Sequence, residues 1–376
     1  MTATTRLDSP AAEARGPLAG LRVIEFAGIG PGPFAAMLLS DMGADIVRID
    51  RPGAGIRSAH DIVSRGRRVV ELDIRTPAGA ERALDLTANA DALIEGFRPG
   101  VMERLGLGPD AVLARNPRLI YGRLTGWGQD GPLAHSAGHD INYIALGGAL
   151  AAFGPAGREP QPPMNLVGDY GGGSLYLVSG ILAAIYERQS SGRGQVIDAA
   201  VMDGTASLMA LYAGRAGRGD WQRERGVNML DGVAHYYRSY ETSDGRYMAV
   251  GAIEPKFFET LCRILGVDVA EVPQQPRERW ALHAARFEKI FRSRTRAEWT
   301  AAFDGTDACV APVLDFIDGD SHPHVAARRI WRTVDGVTQP APAPRFSRSG
   351  VVIQGPPPNE LSSAEEILGA WNTTTP

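Results

Sequence analysis

The residues of this chain best suited to move a proton beside a carbonyl are a histidine and two aspartates in glycine-containing stretches. His139 and Asp140 lie in GHDINY (138–143), at the start of a predicted helix, where unpaired amides and the helix dipole favour negative charge. Asp140 can cap the first turn, and amides there could hold an oxyanion beside a histidine that transfers the proton. In the structural alternative, Asp140 is only a cap and His139 only packs.

Asp169 lies in NLVGDYGGG (165–173), before a long apolar helix. Three consecutive glycines are costly in backbone entropy, so they indicate close approach of a ligand or of another backbone. Asp169 is either an N-cap or a buried carboxyl with an acid–base role. Glu254, in GAIEP (251–255), precedes a proline that can start a helix, so it also has a capping explanation. Taken singly, each of these residues is better explained by structure than by catalysis.

A glycine-rich turn, GIGPGP (28–33), follows the first predicted strand, at the position of a dinucleotide-binding fingerprint. Asp50 follows at about the distance of a ribose-binding acid. The match fails in detail, because Pro33 replaces the third glycine, and Pro31 and Pro33 remove two amides that would face a pyrophosphate. A tight strand-to-helix turn is therefore favoured, and an NAD-dependent oxidoreductase stays as an alternative function.

Strands and helices alternate regularly in the first half of the chain. Apolar patterns and turn residues predict strands at 21–26, 45–49, 68–72, 92–95, 119–124 and 195–200. They predict helices at 33–42, 77–88, 109–114, 139–151, 172–189 and 202–213. This alternation indicates an α/β fold with a parallel sheet and right-handed crossovers.

The pattern changes after residue 213. Residues 214–232 read as a linker, and a hairpin at 236–241 and 247–250 with helices at 255–265 and 296–303 forms a smaller α+β unit. Prolines at 338–358 predict an extended stretch. We expect a disordered tail at 1–16, a large domain at 17–213, a linker at 214–234, a small domain at 235–315 and a C-terminal segment at 316–376.

Composition excludes several classes of protein. The 376 residues include 39 basic and 43 acidic side chains, so there is no global field for nucleic acid or for an anionic membrane. The two cysteines predict neither a disulfide framework nor a thiolate zinc site. The apolar stretches fall short of the roughly 20 residues that span a bilayer. The N-terminal residues do not resemble a secretory signal, so we expect a cytoplasmic protein.

Considered together, the motifs resemble those of a family III CoA-transferase. The resemblance is carried by GPLAGLRVIEFAGIGPGP, LTGWGQDGP, GHDINY, NLVGDYGGG, GAIEP and PAPRFS, and it covers nearly the whole chain after the tail. Within that family they are similar to the racemases of 2-methylacyl-CoA thioesters. The resemblance implies a Rossmann-like large domain, to which the C-terminal segment returns, and a small domain. It also implies an interlocked homodimer with each active site between one large domain and the partner's small domain.

The resemblance further implies a two-base racemisation. His139 and Asp169 would stand on opposite faces of the α-carbon, one removing the α-proton and the other returning a proton through an enolate. The main-chain amide of Asp140 would hold the enolate oxygen, and Glu254 of the partner subunit would orient His139. No metal or redox cofactor is implied, because CoA is part of the substrate. The acyl chain stays open among branched fatty acids, steroid side chains and aryl-propionyl groups.

Further residues are implied for the CoA moiety. They are Ile29, Arg51, Leu72, Asp73, Ile74, Arg75, Gly96, Phe97, Arg98, Arg104, Gly138 and Tyr143. Arg51 and Arg98 directly follow predicted strands, where α/β sheets bind ligands, and arginines suit phosphates. The rival within the family is a CoA-transferase, in which Asp169 would be a nucleophile that forms a mixed anhydride. His139 and GAIEP, which stands where such transferases carry a glycine-rich loop, favour the racemase.

Overall fold

The computed structural model describes residues 16–54, 58–318 and 321–373. The expected tail at 1–16 lies outside these residues apart from Gly16. Contacts divide the chain into two compact units. The first unit holds the chain up to Gly147, Met164–Leu208 and the chain from His322 onward, and the second holds Gly148–Pro163 and Met209–Ser321. Residues 148–163, assigned to the large domain from sequence, thus belong with the second unit.

A six-stranded parallel sheet forms the first unit. Its strands are β1 (Arg22–Phe26), β2 (Asp45–Asp50), β3 (Arg67–Glu71), β4 (Ala92–Glu95), β5 (Ile120–Thr125) and β6 (Gln195–Ala200). They pair in the order β3-β2-β1-β4-β5-β6. The order reverses between β1 and β4, and such a reversal opens a crevice at the carboxyl ends of the strands.

Helices cover both faces of this sheet, as parallel strands require. The helices of the first unit before its C-terminal segment are α1 (Pro31–Asp41), α2 (Pro77–Ala88), α3 (Val101–Arg104), α4 (Pro109–Arg115), α5 (Asp140–Leu146), a π-helix (Leu166–Ser174), α6 (Leu175–Ser191) and α7 (Val201–Leu208). Leu39, Ile46 and Leu177 share the buried cluster on one face, and Val47 and Leu86 share the cluster on the other. Alternate residues of β2 therefore serve opposite faces of the sheet.

The chain returns to the first unit in a C-terminal segment. This segment contains α12 (Pro323–Arg328), the antiparallel pair β10 (Trp331–Val334) and β11 (Val337–Pro340), and α13 (Ala364–Thr373). In α13, Trp371 is buried, and its indole Nε1 donates to Asp45 Oδ2 at 2.7 Å. This contact joins the end of the chain to β2. The stretch at 338–358, which was predicted to be extended, begins within β11, because this strand runs from Val337 to Pro340.

The second unit combines an antiparallel sheet with helices. The strands are β7 (Tyr237–Glu241), β8 (Tyr247–Gly251) and β9 (Val310–Pro312), and the helices are α8 (Ala210–Gly217), α9 (Pro255–Leu265), α10 (Trp280–Phe291) and α11 (Arg296–Phe303). Helix α10 was not predicted, although Trp280, Ala284, Phe287 and Phe291 are buried at helical spacing. Aromatic side chains dominate this unit's core.

Two predicted helices are shorter than expected. The helix predicted at 139–151 ends at Leu146, because Gly147 and Gly148 follow, and Gly148 has a positive φ of 87°. The helix predicted at 202–213 is divided into α7 and α8 at Met209, which lies between them. Among the described residues no helix is long and apolar enough to cross a bilayer.

Candidate active site

A cavity of about 520 Å³ lies at the carboxyl ends of β1, β4 and β5 in the first unit. His139 and Asp169 both line it, although 30 positions separate them in the sequence. The turn after β1 and the loop after β5 supply much of the remaining wall, including Gly28–Gly32, Trp127 and Gly138. The two residues proposed from sequence for proton transfer thus share one site.

His139 is the N-cap of α5 and is exposed. Its backbone has an extended conformation, with φ −133° and ψ 174°. Its main-chain amide donates to Asn142 Oδ1 at 3.0 Å, and its carbonyl accepts from the amide of Asn142 at 2.8 Å. These bonds fix the backbone that presents the exposed imidazole.

Asp169 lies in the π-helix and is only partly exposed. The pKa of its carboxyl is raised to about 6, chiefly by burial and then by the Asp140 carboxylate, while Asn165 and His139 lower it. A Cβ atom on Gly30 would stand 3.0 Å from Asp169 Oδ2, so this carboxyl lies directly against the turn before α1. Gly30 itself has a positive φ of 71°, which that turn requires.

Two of the three consecutive glycines that follow Tyr170 make room for the neighbouring helix α7. A Cβ on Gly172 would stand 2.7 Å from the amide nitrogen of Thr205 and 2.8 Å from the carbonyl oxygen of Val201, both in α7. A Cβ on Gly173 would stand 3.0 Å from a methyl group of Val201. Of the two explanations that the sequence left open, the approach of α7 accounts for Gly172 and Gly173. π-Helical turns are common at functional sites, and this one aims Asp169 at the cavity.

Asp140 is the first residue of α5, where main-chain amides have no acceptor within the helix. This is the position predicted for the enolate donor, and that role stays a prediction. The side chain is buried, with 9% of the residue exposed. Its Oδ2 accepts a hydrogen bond from the main-chain amide of Asp169 at 2.6 Å. Burial raises the pKa of this carboxyl, while main-chain hydrogen bonds from Asp169 and Gly168 lower it.

Tyr143 and Trp127 enclose Gly138, the residue before His139. Their rings meet edge to face with centroids 4.8 Å apart, and the Tyr143 hydroxyl donates to the Gly138 carbonyl. Burial raises the pKa of Tyr143, as does the nearby Asp169 charge, whereas Arg98 lowers it. Gly138 and Tyr143 were predicted from sequence to contact CoA. Trp127 was not predicted as a site residue, although it lies in the LTGWGQDGP motif.

A second cavity, of about 840 Å³, adjoins the first and shares Phe26–Ile29 and Phe97 with it. Most residues predicted for the CoA moiety line it, namely Ile29, Arg51, Leu72, Asp73, Ile74, Arg75, Phe97 and Arg104. Gly96, Phe97, Arg98, Gly138 and Tyr143 line the first cavity. The loops after β1 to β4 therefore bring together residues that lie far apart in the sequence. The roles of these residues in binding CoA stay predictions.

The further residues that line the second cavity include a charged pair, Arg48 and Asp50, that was not predicted to bind CoA. Arg48 is buried on β2, and its Nη2 lies 3.2 Å from Asp50 Oδ2. Asp50 Oδ1 also accepts the amide of Arg51 at 3.0 Å. The acid that sequence placed at the distance of a ribose ligand is thus engaged by neighbouring groups. Pro31 and Pro33 are the first and third residues of α1, so two positions of its first turn have no N–H.

Glu254 lies in the second unit, as the N-cap of α9. Its side chain is exposed, and its charge is close enough to raise the pKa of the Cys309 thiol, after the larger effect of burial. The predicted hydrogen bond from Glu254 to His139 of a partner subunit stays a prediction. Among the described residues no group of three or more potential ligands is placed to hold a metal ion.

A family model for CoA-transferase family III matches residues 18–360. The chain belongs to this family. It is 46% identical over 338 residues to the α-methylacyl-CoA racemase of Mus musculus, across 89% of this chain and 88% of the relative. The human α-methylacyl-CoA racemase is 45% identical over 331 residues, across 87% and 86% of the two chains. The crystal structure of a CAIB/BAIF family protein from Brucella suis has a TM-score of 0.81 at 27% identity, across 95% and 99%.

The β3-β2-β1-β4-β5-β6 sheet with its helices is the Rossmann-like large domain of this family. The α/β fold class predicted from sequence is confirmed, as is the resemblance to the family.

Proposed function

We propose that this protein interconverts the (R) and (S) forms of 2-methylacyl-CoA thioesters, by removing the α-proton on one face and returning a proton on the other. The observation that carries this proposal is that His139 and Asp169 line one cavity. A single base cannot easily serve both faces of a planar enolate, whereas two groups in one cavity can. The likeness to the mouse and human racemases supports the choice of substrate class.

In this mechanism His139 and Asp169 share one proton. In one direction neutral His139 removes the α-proton and protonated Asp169 returns one, and in the other direction their roles exchange. A pKa of about 6 makes Asp169 protonated roughly 100-fold more often at neutral pH than an ordinary carboxyl would be. It also places the Asp169 pKa within about one unit of neutral pH, so both the protonated and the ionised form of this carboxyl are accessible during turnover.

Two further groups would complete the reaction. The Asp140 amide, at the start of α5, would donate to the thioester oxygen as it becomes an enolate. The loss of one such donor in other enzymes costs about 2.7–4 kcal/mol. The CoA moiety would lie along the second cavity, where Arg51, Arg75 and Arg104 could pair with phosphates. The proton transfers require neither a metal nor a redox group, and CoA enters as part of the substrate.

The active unit in this proposal is an interlocked homodimer, in which Glu254 of the partner subunit orients His139. An exposed carboxylate at the start of α9 is free to meet another chain. A carboxylate that accepts from one imidazole nitrogen fixes the tautomer, and so fixes which nitrogen faces the substrate.

Proton NMR in D₂O tests the proposed reaction. With one enantiomer of a 2-methylacyl-CoA, we expect deuterium at the α-position together with loss of configuration. His139→Ala and Asp169→Ala should each nearly abolish both changes while CoA binding is retained. His135→Ala, which alters an exposed histidine four positions earlier, is the matched control and should leave the rate unchanged.

The same experiment separates the racemase from the CoA-transferase. Retention of the α-proton, with transfer of CoA to an added carboxylate, would make Asp169 the nucleophile and refute the racemase proposal. Wild-type activity in either His139→Ala or Asp169→Ala would remove that residue from the mechanism.

A further inference from the structure

The Asp140 side chain joins the two segments that carry His139 and Asp169. It follows His139 directly, and its Oδ2 accepts the main-chain amide of Asp169 at 2.6 Å, across 29 positions of sequence. A Cβ on Gly168 would stand 2.8 Å from the Asp140 carboxyl carbon and 2.7 Å from a methyl group of Ile144. The carboxylate therefore fits against the backbone of the π-helix at a place where only glycine leaves room.

Through this contact, Asp140 supplies a hydrogen-bond acceptor to a main-chain amide in the first turn of the π-helix. The first amides of any helix have no acceptor within the helix, and a nearby carboxylate both accepts their hydrogen bonds and matches the positive end of the dipole. Asn165, the N-cap residue of the π-helix, forms no side-chain cap hydrogen bond. Asp140, from α5, supplies the missing acceptor to Asp169, and its interaction with the Gly168 amide also favours the carboxylate form.

The second carboxyl oxygen of Asp140, Oδ1, does not take part in this hydrogen bond. Asp140 Oδ1 is buried and has no hydrogen-bond partner within the part of the chain that the structure describes. A buried, unpaired carboxylate oxygen costs free energy that an asparagine or a smaller side chain would partly avoid. The presence of a carboxyl group rather than an amide at this place therefore indicates that its ionised form has a use.

The Asp140 charge acts on the Asp169 carboxyl and on the Tyr143 hydroxyl, and it raises the pKa of both. The Asp140 carboxylate is the charged group that raises the pKa of Asp169, next to the larger effect of burial. The other groups that face Asp169 are His139 and Asn165, which lower its pKa, and Tyr143, whose own pKa the Asp169 charge raises. Arg98 lines the same cavity, and its charge lowers the pKa of Tyr143.

We propose that the Asp140 carboxylate is a positioning residue that holds the His139 and Asp169 segments together and keeps a negative charge beside Asp169, so that Asp169 can carry the proton it delivers. This inference rests on the proposed racemisation and adds a second role to Asp140, distinct from its main-chain amide. Every substitution at position 140 except proline keeps that amide, so a change of side chain reports on the side chain alone.

The test compares Asp140→Asn with Asp140→Ala in the full-length protein. Asp140→Asn keeps an oxygen acceptor for the Asp169 amide but removes the charge, whereas Asp140→Ala removes both. For Asp140→Asn we expect the acidic limb of the kcat/KM profile to move down by about one pH unit, and turnover at pH 8 to fall about tenfold. KM for the thioester should stay unchanged. Asp110→Asn, an exposed carboxylate on α4, is the matched control and should leave the profile in place.

A direct titration makes the test independent of turnover. In protein labelled with ¹³C at the aspartate carboxyl carbons, the Asp169 resonance is identified by its loss in Asp169→Asn. The Asp169 pKa measured this way should fall by about one unit in Asp140→Asn and stay in place in Asp110→Asn. An unchanged Asp169 titration in folded Asp140→Asn would overturn the proposal. If the wild-type protein exchanges no α-proton, the racemase proposal fails, and this titration still decides the role of Asp140.

A second variant covers the case in which Asp140→Asn does not fold. Gly168→Ala leaves the charge in the chain but crowds the carboxylate at the Asp169 amide. The acidic limb of the kcat/KM profile should then move to lower pH, as in Asp140→Asn. A Gly168→Ala enzyme with the wild-type pH profile would also contradict the proposal.

Discussion

At the scale of single residues, Asp169 shows how a raised carboxyl pKa lowers the stability of the folded protein. Its carboxyl is partly buried beside a second carboxylate, and both features raise its pKa to about 6. Between about pH 3.8 and pH 6 the folded protein therefore keeps a proton that the unfolded chain has already released. A residue selected for stability alone would not be charged at this place.

The first prediction concerns the free energy of unfolding of Asp169→Asn. Because the folded-state pKa is raised, wild-type stability falls as pH rises from about 3.8 to about 6, and the penalty is complete above that window. Asparagine removes the penalty, so the variant should be more stable than wild type at pH 8 by about 1–2 kcal/mol. The full shift corresponds to about 3 kcal/mol, reduced here for partial exposure. At pH 4.5 the difference should be much smaller.

Urea denaturation at the two pH values measures this difference. Asp110→Asn serves as the control for a carboxylate-to-amide change at an exposed position. A stability gain of equal size at pH 4.5 and pH 8 would contradict a raised pKa at Asp169.

At the scale of structural elements, the loop between β5 and α5 sets the position of His139. Trp127 follows β5, Tyr143 belongs to α5, and their rings enclose Gly138. The Tyr143 hydroxyl holds the Gly138 carbonyl, so the peptide that leads into His139 is fixed from both sides. The imidazole is exposed, but its backbone is not free to move.

The second prediction follows from this enclosure. A Cβ in Gly138→Ala would stand 2.7 Å from Tyr143 Cε1 and 3.0 Å from Trp127 Cζ2, so the rings or the backbone must shift. A displacement of about 1 Å at a catalytic group can lower the rate about 100-fold, and we expect a loss in kcat of that order. Steady-state kinetics of Gly138→Ala and Gly369→Ala provide the comparison, since a Cβ on Gly369 meets no atom within 4 Å. Equal kcat values in the two variants would show that the enclosure does not position His139.

The third prediction concerns the loop after β2. Arg51 lines the second cavity and is exposed, so its guanidinium can reach a phosphate of CoA. Arg51→Ala should raise KM for the thioester about tenfold or more, because a charged hydrogen bond contributes about 1.5–3 kcal/mol. The turnover number should stay near wild type. Arg82→Ala, which alters a half-buried arginine of α2 that lines neither cavity, is the control. A selective loss of kcat in Arg51→Ala would contradict a binding role.

At the scale of the whole molecule, the proposed site needs residues from both compact units. His139 and Asp169 belong to the first unit, and Glu254 belongs to the second. Two long segments, Gly148–Pro163 and Met209–Ser321, form the second unit. In the interlocked homodimer proposed here, each site would combine the first unit of one chain with the second unit of its partner.

The fourth prediction tests this sharing by complementation. Glu254→Ala should lower activity less than His139→Ala does. Mixed dimers of these two variants should contain one complete site and one doubly defective site, because a two-fold dimer uses the same contacts twice. After random exchange of equal amounts, about a quarter of all sites are complete, so activity should rise above the mean of the two parents.

Glu259→Ala, an exposed glutamate on the same helix, replaces Glu254→Ala in the control mixture. The Glu259→Ala parent should itself have wild-type activity. With subunit exchange demonstrated by mass spectrometry, no recovery in the Glu254→Ala mixture would rule out a shared site.

Much of the secondary structure could be predicted from local sequence. The strands at 92–95 and 195–200 and the helices at 77–88 and 255–265 match the structure residue for residue. These segments combine a clear apolar period with glycine or proline at their ends, and both signals act over a few residues. The short strand β9 was missed because three residues carry too little pattern to show a period.

The sequence by itself determined the alternation of strands and helices, and its motifs indicated His139, Asp169 and the loops that are predicted to bind CoA. The tertiary structure decided which of these residues meet. The contact of the Asp140 carboxylate with the Asp169 amide, the enclosure of Gly138 by Trp127 and Tyr143, and the packing of Gly172 against α7 all join distant segments. A local period records only which face of an element is buried, whereas such contacts depend on the order and register of the whole sheet.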